Sequence, residues 1–250
     1  MKSVLLAVFL LSTIISCQSQ SNNKLSIATA SNMQYAMEML VDKFKEKTGM
    51  DCDIILGSSG KLTAQIIEGA PYDLFVSADI NFPQAVEKAG FAAQSPKIYA
   101  YGKLVLWSLD EKYKPSIEQL SNKGIKHIAL ANPKTAPYGK AAMEVLEHFQ
   151  LNESIGDKLV YGESISQTNQ FILSGSAEIG FTAKSIVLSH QLKNKGYWSD
   201  IDSEIHSPIQ QAVVLLKGTK EKHDFALKFY EFLSSKEAKT ILLEYGYDVP

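Results

Sequence analysis

Residues 57–61, Gly-Ser-Ser-Gly-Lys, bring two hydroxyls, two glycines and a lysine into five positions, after an apolar run and before a helical pattern. Such a turn could hold a nucleotide, carry a catalytic serine or grip a bare anion. A P-loop needs Gly-x-x-x-x-Gly-Lys-Ser/Thr. Here Ile55 stands five residues before Gly60, and Leu62 follows Lys61, so no hydroxyl is left for magnesium. No Gly-x-Gly-x-x-Gly occurs. The order Gly57-Ser58-Ser59-Gly60 also fails the Gly-x-Ser-x-Gly pattern of a nucleophile elbow. The histidines (His127, His148, His190, His206, His223) have no zinc spacing, and His148 and His223 are expected in solvent. Asp73 and Asp79 flank a strand from its two ends, a placement that suits structural capping better than paired acid–base work.

Three further turns have the same character: Thr29-Ala-Ser-Asn32, residues 132–140 (NPKTAPYGK) and residues 162–166 (GESIS). Each puts small or polar residues where a strand ends and a helix begins. A helix N-terminus exposes unpaired N–H groups and roughly half a positive charge. With a hydroxyl added, it grips an oxyanion. Taken singly, Ser31, Ser59 and Ser166 read as ordinary N-caps. Four such turns at the carboxyl edges of strands describe a cleft.

The elements around these turns alternate. Strands are expected at 24–30, 51–57, 73–78, 97–109 (broken at Gly102), 127–131, 158–162, 178–183 and 210–216. Helices are expected at 31–49, with Ser31 and Gln34 at capping-box spacing, and at 59–68, 79–88, 116–120, 138–149, 166–174, 184–192, 221–235 and 236–246. Residues 196–208 read as irregular. The alternation predicts an α/β protein with helices on both sheet faces. The number of βα units suits two lobes: 25–101 with 208–250, and 102–207, joined by two crossing strands.

The 250 residues are 45% hydrophobic, enough for a substantial core, and the net charge of −2 gives no electrostatic case for nucleic acid. Residues 1–17 read as a signal: Lys2, an apolar run from Val4 to Leu11, then Leu-Ser-Thr-Ile-Ile-Ser-Cys. The apolar run is shorter than the roughly 20 residues of a membrane span. Ile14 three before Cys17 and Ser16 just before it resemble a bacterial lipobox, which implies cleavage before Cys17 and lipid on its thiol. A simple cleaved signal is the alternative. Residues 18–24 form a polar tether. Cys52 is then the one cysteine of the mature body, which excludes an internal disulfide, and it reads as a buried small side chain.

The segments IATASNMQYAM, GSSGKLTAQIIEGAPYDLFVSAD, ANPKTAPYGKAAMEVLE, AEIGFTAKS and FYEFLSSKEAKTILLEYGY resemble, in the same order, the periplasmic molybdate-binding proteins of ABC importers. The second is the most specific. The resemblance implies a two-lobed type II periplasmic-binding fold, a monomer with no cofactor and no enzyme activity. Such a protein closes on molybdate or tungstate in the cell envelope and delivers it to the membrane subunits of an ABC transporter. It implies ligand contacts at Ser31, Asn32 and Ser59, and backbone donors at Tyr138 and Ile165, with no cation as a direct partner. One departure stands out. The family's late-strand tyrosine is replaced by Ala183, while the Pro-x-Gly turn carries Tyr138, whose phenol is expected to substitute. Hydrogen bonds to a charged partner contribute about 1.5–3 kcal/mol each. About six give of order 10 kcal/mol gross, which permits submicromolar binding after ordering costs. A donor-only site also disfavours phosphate, which keeps a proton. Lys61 and Lys140 are expected in solvent. The alternatives are a protein of the same fold for sulfate or another small anion, an exported α/β enzyme, or a structural surface lipoprotein.

Overall fold

The computed structural model describes residues 24–218 and 220–250. The signal segment with Cys17, and the tether as far as residue 23, lie outside the described residues. Among the described residues no helix is long and apolar enough to cross a membrane.

Two five-stranded mixed sheets organise the chain. In the first, β1 (Leu25–Ala30), β2 (Cys52–Gly57), β3 (Leu74–Ser77), β4 (Lys97–Gly102) and β10 (Ile209–Leu215) lie in the order β2-β1-β3-β10-β4. In the second, β5 (Leu104–Ser108), β6 (Ile128–Ala131), β7 (Leu159–Gly162), β8 (Ile179–Ala183) and β9 (Tyr197–Asp200) lie in the order β7-β6-β8-β5-β9. The βα units pair in parallel, β1 with β2 and β3, β6 with β7 and β8. The strands next to the crossings, β10 and β5, pair antiparallel. The chain leaves the first sheet at Gly102 and enters the second at Leu104. It returns between Asp200 and Ile209. This is an α/β protein of two lobes.

The helices are α1 (Gln34–Thr48), α2 (Ser59–Ile67), α3 (Asn81–Lys88), α4 (Pro137–His148), α5 (Asn152–Ile155), α6 (Ile165–Leu173), α7 (Lys184–Val187), α8 (Lys220–Phe232) and α9 (Lys236–Glu244). They cover both faces of the first sheet. On one face Met37, Leu40 and Phe44 of α1 meet Phe229 and Leu233 beneath β1 and β10. On the other, Leu62 and Ile66 of α2 meet Phe75 and Val214. The second lobe has its own core around Trp107, Leu130, Val145 and Phe181, and Ala30 and Ala78 of the first lobe join it. The two cores therefore touch where the strands of the first lobe end.

Several local expectations give way, and the helix expected over 116–120 is a single 3₁₀ turn at Glu118–Ser121. Ser31 and Gln34 form no capping box: Ser31–Met33 is a 3₁₀ turn, and α1 begins at Gln34 with no side-chain cap. The irregular 196–208 segment contains β9, an edge strand paired to β5 with Trp198 opposite Trp107. The helix expected over 184–192 stops at Val187. The Ser189 hydroxyl donates to the Ile186 carbonyl at 2.8 Å, an alternative to continued helix, and the chain proceeds in tight turns. Cys52 is half-buried, and burial together with Asp51 and Asp53 pushes its thiol pKa up to about 12.

Helix α4 lies close against β6 because Gly139 has no side chain. A Cβ there would run into the carbonyl of Ala131 and lie 2.6 Å from its carbon. Glycine inside a helix ordinarily costs stability relative to alanine. Here the sign reverses, since the obstacle is backbone. Gly139→Ala is expected to lower stability by about 1–3 kcal/mol, read as a lower urea midpoint at unchanged slope.

Candidate functional site

The ends of β1, β2 and β3 in one lobe face the starts of α4 and α6 in the other. Ser31, Asn32, Ser58 and Ser59 line one side of the cavity between them, and Tyr138 and Ile165 the other. All six are at most 4% exposed. The space is small, about 10 Å³, on a scale where one buried water needs about 10–15 Å³. Small apolar walls from Ala30, Ala78 and Ala136 close the rest. Among the described residues no lysine, arginine, aspartate or glutamate lines it. A larger groove of about 350 Å³ beside Tyr72, Asp73 and Phe91 lacks this convergence of helix starts.

Three helices of at least nine residues begin at the cavity: α2 with Ser59, α4 with Pro137 and Tyr138, and α6 with Ile165. First-turn N–H groups have no partner inside their own helix, so those of Ser59, Tyr138 and Ile165 are donors in waiting. The proline at the start of α4 removes one orphan donor and presets the first turn. None of the three serines read as caps caps its helix. The Ser31 hydroxyl donates to the Gly57 carbonyl at 3.1 Å. The Ser59 hydroxyl accepts from the Ala78 N–H at 3.0 Å, so its own proton remains free. Ser166 lies inside α6, which Ser164 caps, and its hydroxyl reaches Gln34 in the opposite lobe at 3.3 Å.

The lobes meet directly at this place. The Gly60 N–H donates to the Thr135 carbonyl at 2.9 Å. A Cβ on Gly60 would sit 3.0 Å from Thr135 Cα, so glycine lets the first turn of α2 approach the Thr135 loop. Lys61 pairs with Glu163 across the cleft mouth at 2.8 Å, both side chains half in solvent. Lys140 is exposed and lies 3.8 Å from Glu144. Neither lysine enters the cavity.

Behind the cavity is a buried polar cluster that sequence reasoning did not find. The Asn32 amide donates to Gln211 Oε1 at 2.8 Å and to the Tyr247 hydroxyl at 3.0 Å. Gln211 in turn donates to the Ala78 carbonyl at 3.2 Å. From the other lobe, the Ser185 hydroxyl donates to the Asn32 carbonyl at 2.7 Å, and the Tyr247 hydroxyl lies 3.0 Å from Ser185 Oγ. The register of β10 against β4 slips between Gln211 and Ala212, a bulge of the kind that re-aims side chains. Tyr247 lies in the C-terminal segment, where an isolated bridge pairs Asp248 with Tyr101 of β4, and Lys103 holds Asp248 at 2.8 Å. Asn32 is thus fixed by both lobes and by the chain's last residues.

The Tyr138 hydroxyl points into this hinge region. A Cβ on Gly102 would collide with it and would lie 2.9 Å from Gln211 Nε2. The phenol oxygen is buried and has no hydrogen-bond partner among the described residues. Burial raises the pKa of Tyr138 well above the ordinary phenol value, with Tyr247 and Tyr99 adding to it, so the group is neutral. The group that a first helical turn leaves to Tyr138 is its N–H. Ala183 is buried at the end of β8. Among the described residues no cluster of three or more histidine, cysteine, aspartate or glutamate side chains could hold a metal ion.

A family model described as bacterial extracellular solute-binding protein matches residues 25–248, and the chain belongs to that family. It is 36% identical over 245 residues to the molybdate-binding protein ModA of Azotobacter vinelandii, covering 97% of this chain and 96% of that protein. It is 39% identical over 222 residues to ModA of Rhodobacter capsulatus, covering 88% and 86%. The solved periplasmic molybdate-binding protein of Azotobacter vinelandii superposes with a TM-score of 0.85 at 35% identity, over 91% of this chain and all of that one.

Removing the Tyr247 hydroxyl leaves buried partners in both lobes short of one bond. Tyr247→Phe is expected to cost about 1–3 kcal/mol of stability, measured by urea unfolding. Leu243→Ala, at an exposed position of α9, serves as the control with little change.

Proposed function

We propose that the chain captures molybdate, or its congener tungstate, in the interlobe cavity and hands it to the membrane subunits of an ABC transporter. One observation carries this reading. Helix starts and serine hydroxyls from both lobes converge on a buried space with no charged side chain, in a chain 36% and 39% identical to molybdate-binding proteins. The donors are the hydroxyl and N–H of Ser59, the N–H groups of Ser31, Asn32, Tyr138 and Ile165, and the Ser31 hydroxyl once it leaves the Gly57 carbonyl. Fixed donors replace the hydration shell of a dianion, which a buried anion requires.

Lobe 1 comprises residues 25–101 and 208–250, and lobe 2 residues 102–207. The sheet membership of β1–β4 and β10 against β5–β9 supports that division. The protein works as a monomer outside the cytoplasm, tethered by lipid on Cys17. The family is one of solute-binding proteins, and delivery through lobe closure needs no catalytic group.

Titration calorimetry of the mature protein is expected to give saturable one-to-one binding of molybdate and tungstate with submicromolar Kd, and no heat with sulfate or phosphate at the same concentration. Equal affinity for sulfate favours the broader anion reading, and absence of binding to every oxyanion overturns the proposal. The pH dependence is a further check. Among the described residues Tyr138 is the only titratable side chain lining the cavity, and its raised pKa keeps it protonated in the neutral range. No proton is taken up or released on binding, so the molybdate Kd is expected to stay constant between about pH 7 and 9.

A further inference from the structure

Ser58 is the residue of the Gly57–Lys61 turn to which neither its spacing nor its helix gives a task. It is 3% exposed and lines the anion cavity. It occupies the N-cap position of α2 in extended conformation, φ −72° and ψ 150°, the geometry of a capping serine. Its carbonyl begins the helix by accepting from the Leu62 N–H at 3.0 Å. Its hydroxyl makes no cap bond, and Ser58 Oγ has no hydrogen-bond partner among the described residues.

That isolation contrasts with the neighbouring serines. Ser31 gives its proton to Gly57, and Ser59 receives one from Ala78. A buried hydroxyl without a partner is destabilising, and native structures keep such groups where something else satisfies them. The cavity it lines is flanked by the N-terminal turn of a nine-residue helix, where negative charge is favoured.

We propose that Ser58 donates its hydroxyl proton to an oxygen of the bound oxyanion, as a further side-chain donor beside Ser59 and Ser31. This rests on the oxyanion reading of the cavity and assigns Ser58 a binding role within it. The ligand class is a tetrahedral oxyanion without a proton, which offers acceptors only.

The test is molybdate calorimetry on wild type, Ser58→Ala and Ser58→Gly, with urea unfolding of each without molybdate. Glycine is itself an accepted N-cap, so Ser58→Gly removes the hydroxyl while keeping the helix start. The expected result is a Kd raised about tenfold or more in both variants, with the unfolding midpoint of Ser58→Gly close to wild type. An unchanged Kd in Ser58→Gly overturns the assignment, and a lower midpoint for Ser58→Ala alongside that unchanged Kd makes Ser58 a helix cap instead. Wild type that takes up no molybdate overturns the oxyanion reading itself, and the Ser58 assignment with it.

Discussion

A doubly charged anion held away from water needs every oxygen matched by a donor, because the lost hydration is otherwise unrecovered. A lysine or arginine is one solution. The other is a set of neutral donors fixed in advance, and the lining of this cavity suits the second. Its walls carry hydroxyls, amides and small apolar residues, with no ionic side chain. Neutral donors are individually weak, so they must converge within one small volume. That demand accounts for the architecture. Helix starts supply N–H groups in pairs, parallel βα units place those starts at one sheet edge, and two facing lobes bring donors from opposite sides.

Convergence from two lobes requires close approach without collision. Gly60 admits the Thr135 loop, Gly139 admits β6, and Gly102 admits the Tyr138 ring. The hinge then sets the relative position of the lobes. Asn32 belongs to the cavity wall and also to the buried cluster of Gln211, Ser185 and Tyr247. A change in lobe angle would have to break the Ser185 bonds, so the wall and the hinge move together. The C-terminal segment held by Lys103 and Tyr101 ties the end of the chain to that cluster.

Much of this was legible in the sequence. Strand positions followed from apolar runs, and the four βα turns followed from small and polar residues at run ends. Burial of Ser31, Asn32, Ser59, Tyr138 and Ile165 around one space now stands beside that reading. What the sequence concealed was long-range. Asn32 and Tyr247 are 215 positions apart, and nothing local marks either as a partner of the other. Ser31 and Gln34 satisfied a local capping rule, yet tertiary partners, Gly57 and Ser166, took both side chains. β9 was hidden because an edge strand of four residues, Tyr-Trp-Ser-Asp, shows no alternation and reads as loop until β5 is there to pair with it. Ser58 looked like the neighbour of the important serine, and only its unpartnered hydroxyl sets it apart.

The central claim is that neutral donors alone surround the anion. A crystal structure of the protein with tungstate, with the metal located by anomalous scattering, tests it most directly. The account predicts one strong peak between Ser59 and Tyr138, ringed by hydroxyl and amide donors, with the Lys61 and Lys140 ammonium groups away from its oxygens. A peak elsewhere, or one with a lysine or a metal cation in contact with the tungstate oxygens, would contradict it.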